Sequence, residues 1–422
     1  MKRLCLITLA GLGLALTATA AANAQSINPQ SRKSNPHYTF GTLDTLTSHA
    51  ALEVASGVNA AEIEVGWDLY EPQDGVFDSR YAAAVTQRVR DLEAAGFRKI
   101  VLGLAFHYAP SWVFSYPDSE LVNQYGATAS EVNLIFNQTL REKAAALIAR
   151  LNQDVGLNSF SAIRITSGGD GEAMYPDEWA DGVHGNGYWA YDANAQAQSP
   201  FPGWKPGDTS YNGQPFTRSQ VEQWFGWYLG ALLDEVNWQI QTYKSLGFTG
   251  EFQVLTPGLG ARPDEYQAAI NGYLGGAGDG NYTMGRGAVW DRFYSGLPDQ
   301  TKVVAYVSSL ADRSGGNDLC QSNDANVAPT DPVVDGWSSA RWISYNAKRN
   351  GLPVSGENPG GLQSVATMQT AAKQMQACGM KGMYWARDAN LYDGTGVTFS
   401  DYANLIVQML SNYAMSSPST GG

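Results

Sequence analysis

From Tyr38 onward, short apolar runs rich in β-branched residues alternate with longer stretches whose apolar positions recur at helical spacing. The runs are HYTFGTL at 37–43, AEIEVGW at 61–67, KIVLGLAFH at 99–107, FSAIRITSG at 160–168, EFQVLTPG at 251–258, KVVAYVSSL at 302–310, LPVSGEN at 352–358 and GMYWARD at 382–388. Several are too evenly apolar for a sheet with one wet face and read as strands covered on both sides, as in a parallel sheet. Amphipathic stretches at 79–97 and 139–156 each reach a glycine and predict helices that stop there. Further helices are expected at 219–248, 363–377 and 400–413. Eight β-then-α units predict an α/β fold, the closed (β/α)8 TIM barrel with long βα loops. An open doubly wound sheet is the alternative, and the glycine-rich dinucleotide fingerprint it would carry after the first strand is missing.

The connections are uneven. Residues 173–218 form a long aromatic, Gly/Pro-rich insertion after strand four, and 311–335, rich in Asp, Asn and Gly, follow strand six. In a barrel the βα loops gather at the carboxyl ends of the strands, where sites are built. Two glutamates stand at that end. Glu172, in GGDGEAMYP (168–176), follows strand four, and Glu357, in SGENPG (355–360), ends strand seven. Across an eight-stranded ring these positions face one another over the mouth. Cleavage of a glycosidic bond needs such a pair: one carboxyl protonates the leaving oxygen, and the other attacks the anomeric carbon or activates a water. Taken singly, each glutamate also fits a helix cap or a surface ion pair.

Composition narrows the setting. Lys2 and Arg3, an apolar stretch and the small-x-small site Ala22-Asn23-Ala24 read as a secretory signal over 1–24, so a secreted or periplasmic chain is expected. The barrel is expected over 25–414, followed by a flexible tail at 415–422. Loss of Lys2 and Arg3 moves the net charge from −13 to −15. So acidic a surface disfavours nucleic acid, and no later stretch is apolar enough to span a bilayer. Cys320 and Cys378 remain after the signal, as one disulfide or as two separate buried thiols. No zinc helix, phosphate loop or Gly-x-Ser-x-Gly elbow is present, and no cofactor or metal is expected. The oxygen-rich stretches 278–282 and 317–326 fit ordinary turns better than calcium loops.

The stretch from Glu64 to Val113 is similar to the early part of family 42 β-galactosidase-like enzymes, on Trp67, Glu71-Pro72, Phe77-Asp78 and Pro110-Ser111-Trp112. That superfamily of retaining barrels carries its acid/base glutamate after strand four and its nucleophile at strand seven, so the resemblance implies these roles for Glu172 and Glu357. It usually places Asn before the first glutamate, where this chain has Gly171. The segment Gly171-Glu172-Ala173-Met174-Tyr175-Pro176 resembles instead the Gly-Glu-x-x-Tyr-Pro of β-amylases, and Gly356-Glu357-Asn358 resembles their Gly-Glu-Asn. That likeness implies a general acid and a general base in an inverting reaction. Both schemes make Glu172 the acid, a role that requires a raised pKa.

Other candidates surround the pair. Trp67, Asp68 and Glu71 follow strand two, and Asp68 is placed to meet sugar hydroxyls or to cap a helix. His107 and Tyr108 end strand three. Asp170 precedes Glu172 by two residues and either tunes its proton affinity or shapes the loop. Tyr306 lies in strand six and is expected to orient Glu357 or to pack the core. Trp385 is expected to floor a sugar site, and Arg387 to bind substrate or hold one glutamate ionised. Trp189 and Trp204 suit outer stacking platforms or anchors of the insertion. A glycosidase acting on an oligo- or polysaccharide, with retention the expected outcome, accounts for most of these features. A non-catalytic carbohydrate-binding barrel and a transglycosylase are the rivals. Sugar, linkage and oligomeric state are not legible.

Overall fold

The computed structural model describes residues 38–167, 171–177, 179–185, 187–276, 282–298, 301–311, 318–359, 361 and 363–416. The signal segment, Asp170 and most of 278–282 lie outside the described residues.

Eight strands close a parallel barrel: β1 (Thr39–Thr42), β2 (Ala60–Gly66), β3 (Lys99–Ala105), β4 (Ala162–Ile165), β5 (Glu251–Thr256), β6 (Val303–Val307), β7 (Val354–Pro359) and β8 (Gly382–Ala386). Each pairs with its sequence neighbour, and β8 returns to β1 with Trp385 beside Thr42. A principal helix follows each strand, with shorter helical turns in some loops: α1 (Ala50–Ser56), α2 (Ser79–Ala95), α3 (Gln138–Asp154), α4 (Arg218–Ser245), α5 (Pro263–Leu274), α6 (Ser339–Arg349), α7 (Val365–Ala377) and α8 (Phe399–Ser416). The (β/α)8 expectation therefore holds, strand for strand.

Local chemistry sets the helix ends. Asp78 accepts the backbone N–H groups of Arg80 and Tyr81 to start α2, and left-handed Gly96 stops it. Thr217 and Gln220 form a capping box at α4. Helices α1, α5 and α6 were not legible from apolar spacing. The first has only seven residues, and α6 is polar on average, with Ser339, Ser344 and Asn346 buried beside Trp342 and Ile343.

The strands' outer faces and the helices share one apolar core, while Ala60, Val101, Ala162, Leu255, Tyr306 and Tyr384 form a separate cluster with Leu43. A disulfide joins Cys320, in the loop after β6, to Cys378 at the end of α7, with Cα atoms 5.0 Å apart. Within the insertion, Trp204 stacks on Phe216 at 4.4 Å and meets Trp224 of α4 at 5.3 Å. Tyr175 stacks on Tyr228 of α4 at 3.9 Å. The long connection after β4 is thus a packed layer on α4. Among the described residues, no helix is long and apolar enough to cross a membrane.

Candidate active site

A cavity of about 520 Å³ opens where the carboxyl ends of the strands converge, and both Glu172 and Glu357 line it. They reach it by different routes. Glu172 sits on the loop beyond β4. Ser167 N–H donates to the Glu172 carbonyl at 3.0 Å, and Ala173 N–H to the Leu255 carbonyl of β5 at 2.6 Å, so the chain doubles back over the barrel rim. Ser167 Oγ donates to the Met174 carbonyl at 2.5 Å and closes the same turn. Gly171 makes the turn possible. Its φ of +74° is left-handed, and a Cβ there would come 3.1 Å from the His107 ring. An asparagine in that place would be strained and would crowd His107. The Glu172 carboxylate accepts a hydrogen bond from Ser308 Oγ, just beyond β6.

Glu357 belongs to β7 itself, paired in register with Tyr384 of β8. Gly356 before it lets β7 close on β6, since a Cβ there would meet the Val307 carbonyl at 2.7 Å. The Glu357 carbonyl accepts Leu310 N–H at 3.1 Å, and Asn358 Oδ1 accepts Ala311 N–H at 2.9 Å. The asparagine of the Gly-Glu-Asn run is fully buried and holds the loop after β6. Arg164 of β4 donates from Nη2 to Glu357 Oε2, with both side chains buried. The Arg164 guanidinium lies 4.9 Å from the centre of the Tyr306 ring.

Beneath this pair the barrel interior is charged. Burial pushes the Glu62 carboxyl up to about 7, with Arg164 pulling it down and Glu64 adding to the rise. Burial alone would weaken the Arg164 guanidinium. Glu357, Tyr306 and Glu62 outweigh that and keep it above its ordinary value. Burial, then Glu357, raises the Tyr306 hydroxyl well above the usual tyrosine range. At the rim, Arg387 Nη1 is 3.5 Å from Glu64 Oε2, and His107 Nε2 is 4.0 Å from the same oxygen. Arg286 pairs with Asp177, and both line the cavity.

The sequence candidates divide accordingly. Glu172, Glu357, His107 and Arg387 line the cavity. Arg387 reaches Glu64 and neither catalytic candidate; the cation that holds Glu357 is Arg164. Trp67, Asp68, Tyr108, Tyr306 and Trp385 are not among the cavity's lining residues. Trp67 is fully buried, donates its Nε1–H to Glu71 Oε2 at 2.8 Å, and packs edge-on against Trp112. The Trp112 Nε1–H in turn donates to the Glu71 carbonyl at 2.9 Å. The block that resembles family 42 enzymes is therefore a buried knot beside the barrel. Asp68 N–H donates to the Tyr108 carbonyl at 2.9 Å, and the half-buried Tyr108 ring leans on His107 at 4.2 Å. Tyr306 supports Arg164 from below. Trp385 is fully buried and packs near Tyr402, so it is core and not a floor. Trp189 and Trp204 are buried as well, anchoring the insertion rather than presenting platforms.

Arg164, Glu62 and Glu64 were missed, and the sequence did carry a signal for them. AEIEVGW sets two carboxylates at period two in an otherwise apolar strand, and AIRIT sets one arginine in another. Charges inside strands of a doubly covered sheet have few places to go but the barrel interior.

Oxygen-rich segments elsewhere serve the scaffold. Asp318 and Asp324 each pair with Arg341 at 2.6 Å. His49, Glu53 and Asp388 bring ligand-type atoms within 4.8 Å of one another. They are tied by hydrogen bonds, His49 Nδ1 lying 3.2 Å from Asp388 and Thr42 Oγ1 donating to Glu53 at 3.1 Å. Burial, then the neighbouring Asp388, pushes the Glu53 carboxyl up to about 9. A neutral Glu53 beside Asp388 anchors the loop that carries Arg387.

No protein-family model and no curated protein sequence matches the chain. Among solved structures, the fold is similar to the catalytic domain of β-amylase from Paenibacillus polymyxa, with a TM-score of 0.65 and 16% identity over 89% of this chain and 99% of that one. A β-glucosidase and a β-glycosidase align at a TM-score of 0.46 and 13% identity, covering 86% and 89% of this chain and 87% of each of theirs. At 16% identity, the likeness to the β-amylase domain establishes a common fold.

Proposed function

We propose that this chain is a secreted glycoside hydrolase that cleaves O-glycosidic bonds of an oligo- or polysaccharide, with Glu172 as the general acid and Glu357 as its ionised partner. The observation that carries the reading is a single cavity lined by both carboxylates, each clasped by a different group. Ser308 orients the Glu172 carboxyl toward the leaving oxygen. Arg164 supplies the positive charge that keeps Glu357 an anion in a buried setting. The other cavity charges, His107, Glu64 and Arg387, offer donors and acceptors for sugar hydroxyls. Two carboxyl groups and a water complete the chemistry. A leader-like segment at 1–24 supports export.

Retention, with Glu357 as nucleophile, follows the strand-four and strand-seven arrangement. A second reading, inverting cleavage of a glucan with Glu357 activating water, is favoured by a specific pair of observations. The Gly-Glu-x-x-Tyr-Pro and Gly-Glu-Asn runs occur on a barrel whose fold is similar to a β-amylase catalytic domain. Incubation with nitrophenyl glycosides and with α- and β-linked glucans, followed by proton NMR of the first-formed anomer, tests both. Release of reducing sugar is expected. An anomer unlike the substrate's establishes inversion, and absence of hydrolysis across the panel sinks the glycosidase reading.

A further inference from the structure

Trp179 stands apart from every other tryptophan in the chain. Of the twelve, eight are buried and three half-buried, while Trp179 is 60% exposed. It is nevertheless fixed. One side of the ring rests on Gly185, where a Cβ would come 3.0 Å from Trp179 Cζ2, and Gly182 N–H donates to the Trp179 carbonyl at 2.8 Å. The turn begins at Asp177, a cavity-lining residue, whose carbonyl accepts Ala180 N–H at 3.0 Å.

A second exposed ring is held on the same rim. Tyr125, in the hairpin turn after β3, is 45% exposed and stacks on His184 at 3.9 Å and 12°. Asp181 joins the two loops. Its carboxylate accepts the N–H groups of Val183 and His184 at 2.8 Å, lies 2.6 Å from His184 Nδ1 and accepts Asn123 Nδ2–H at 2.7 Å. Burial would raise this carboxyl, and the donors from His184, Val183 and Asn123 outweigh it and hold it well below the usual carboxylate range. The clamp therefore stays charged while the two rings face water.

We propose that Trp179 and Tyr125 form an outer carbohydrate subsite, where a pyranose ring of the substrate chain stacks beyond the catalytic cavity. A pyranose presents an apolar C–H face and a polar edge. A ring packed on one side and open on the other fits the face, and the half-exposed His184, held from behind by the buried Asp181 and Asn123 side chains, offers a polar group for the edge. Rings already fixed lose little freedom on binding. Two rings and the exposed Val183 beside them are far smaller than a stable protein–protein interface. This rests on the glycosidase reading and adds the requirement that the substrate be longer than the cavity can hold.

The test uses the mature chain in a Glu357→Gln background, so that ligand persists, and titrates α-1,4- and β-1,4-linked gluco-oligosaccharides of two and six units by calorimetry. Trp179→Ala is expected to cut the preference for the six-unit over the two-unit sugar about five- to tenfold, and Tyr125→Ala about threefold. Trp179→Phe keeps a ring and is expected to restore most of it. In parallel, the six-unit sugar should shield tryptophan emission from iodide in the Glu357→Gln chain but not in its Trp179→Phe derivative. An unchanged preference in Trp179→Ala, with hydrolysis by the unsubstituted chain, overturns this subsite and leaves the glycosidase reading standing. Failure of the unsubstituted chain to bind or cleave any member overturns both.

Discussion

The two glutamates occupy opposite kinds of ground. Glu357 is part of a strand, fixed by the β6–β7–β8 register and clasped from within the barrel by buried Arg164. Glu172 lies on a loop, positioned by Gly171, by Ser167 and by the Ser308 hydroxyl from across the mouth. A buried charge needs a full counter-charge, which Arg164 supplies to Glu357, whereas the half-buried Glu172 carboxyl retains contact with solvent. Arg164 suits the partner that must stay ionised, and Ser308, a hydroxyl that can donate or accept, suits a carboxyl that must give up and regain a proton.

The strongest way to break this contrast is to remove each carboxylate. Glu172→Gln and Glu357→Gln should each lower kcat about a thousandfold, with unchanged circular dichroism. Near-full turnover by either variant would remove its residue from the mechanism. Next comes the clasp. Arg164→Met should lower kcat about a hundredfold with little change in KM, and cost ~3 kcal/mol of stability because a buried carboxylate loses its partner. Arg164→Lys should recover part of both, and a loss confined to KM would show that Arg164 only binds substrate. Ser308→Ala tests the other side and should cost about tenfold in kcat, because a single hydrogen bond to a carboxyl is lost. An Arg164→Met effect no larger than that of Ser308→Ala would erase the distinction between the two settings.

A separate effect, on stability rather than on rate, concerns pH. Glu62 titrates from 4.5 unfolded to about 7 folded, so its contribution is fully present below pH 4.5 and is lost as pH rises through 7. The fall amounts to about 3 kcal/mol at ~1.4 kcal/mol per unit. Denaturation midpoints at pH 5 and pH 8 should therefore differ less in Glu62→Gln than in the unsubstituted chain. Equal differences would mean that Glu62 does not carry the shift.

The aromatic residues show where reading the chain stops short. Trp189, Trp204 and Trp385 look like stacking surfaces because tryptophan suits sugar faces, yet all three are buried. A large ring gains most by leaving water altogether, and in a barrel with a thick layer of helices and an ordered insertion most rings find that option. Trp179 carries no mark in the sequence that separates it from them. Its exposure follows from the fold of its own loop over Gly185 and from the Asp181 clamp.

By itself the sequence determined the count of strands, their order and the end of the barrel where Glu172 and Glu357 emerge, because period-two and helical spacing are local properties of the chain. Only the tertiary structure decided which charged side chains share the interior and which aromatic ring remains outside. Arg164 and Glu357 are 193 residues apart, and no local pattern encodes their contact. It arises when β4 and β7 become parts of one closed ring, where burial makes an unpaired charge costly and so selects the pairing.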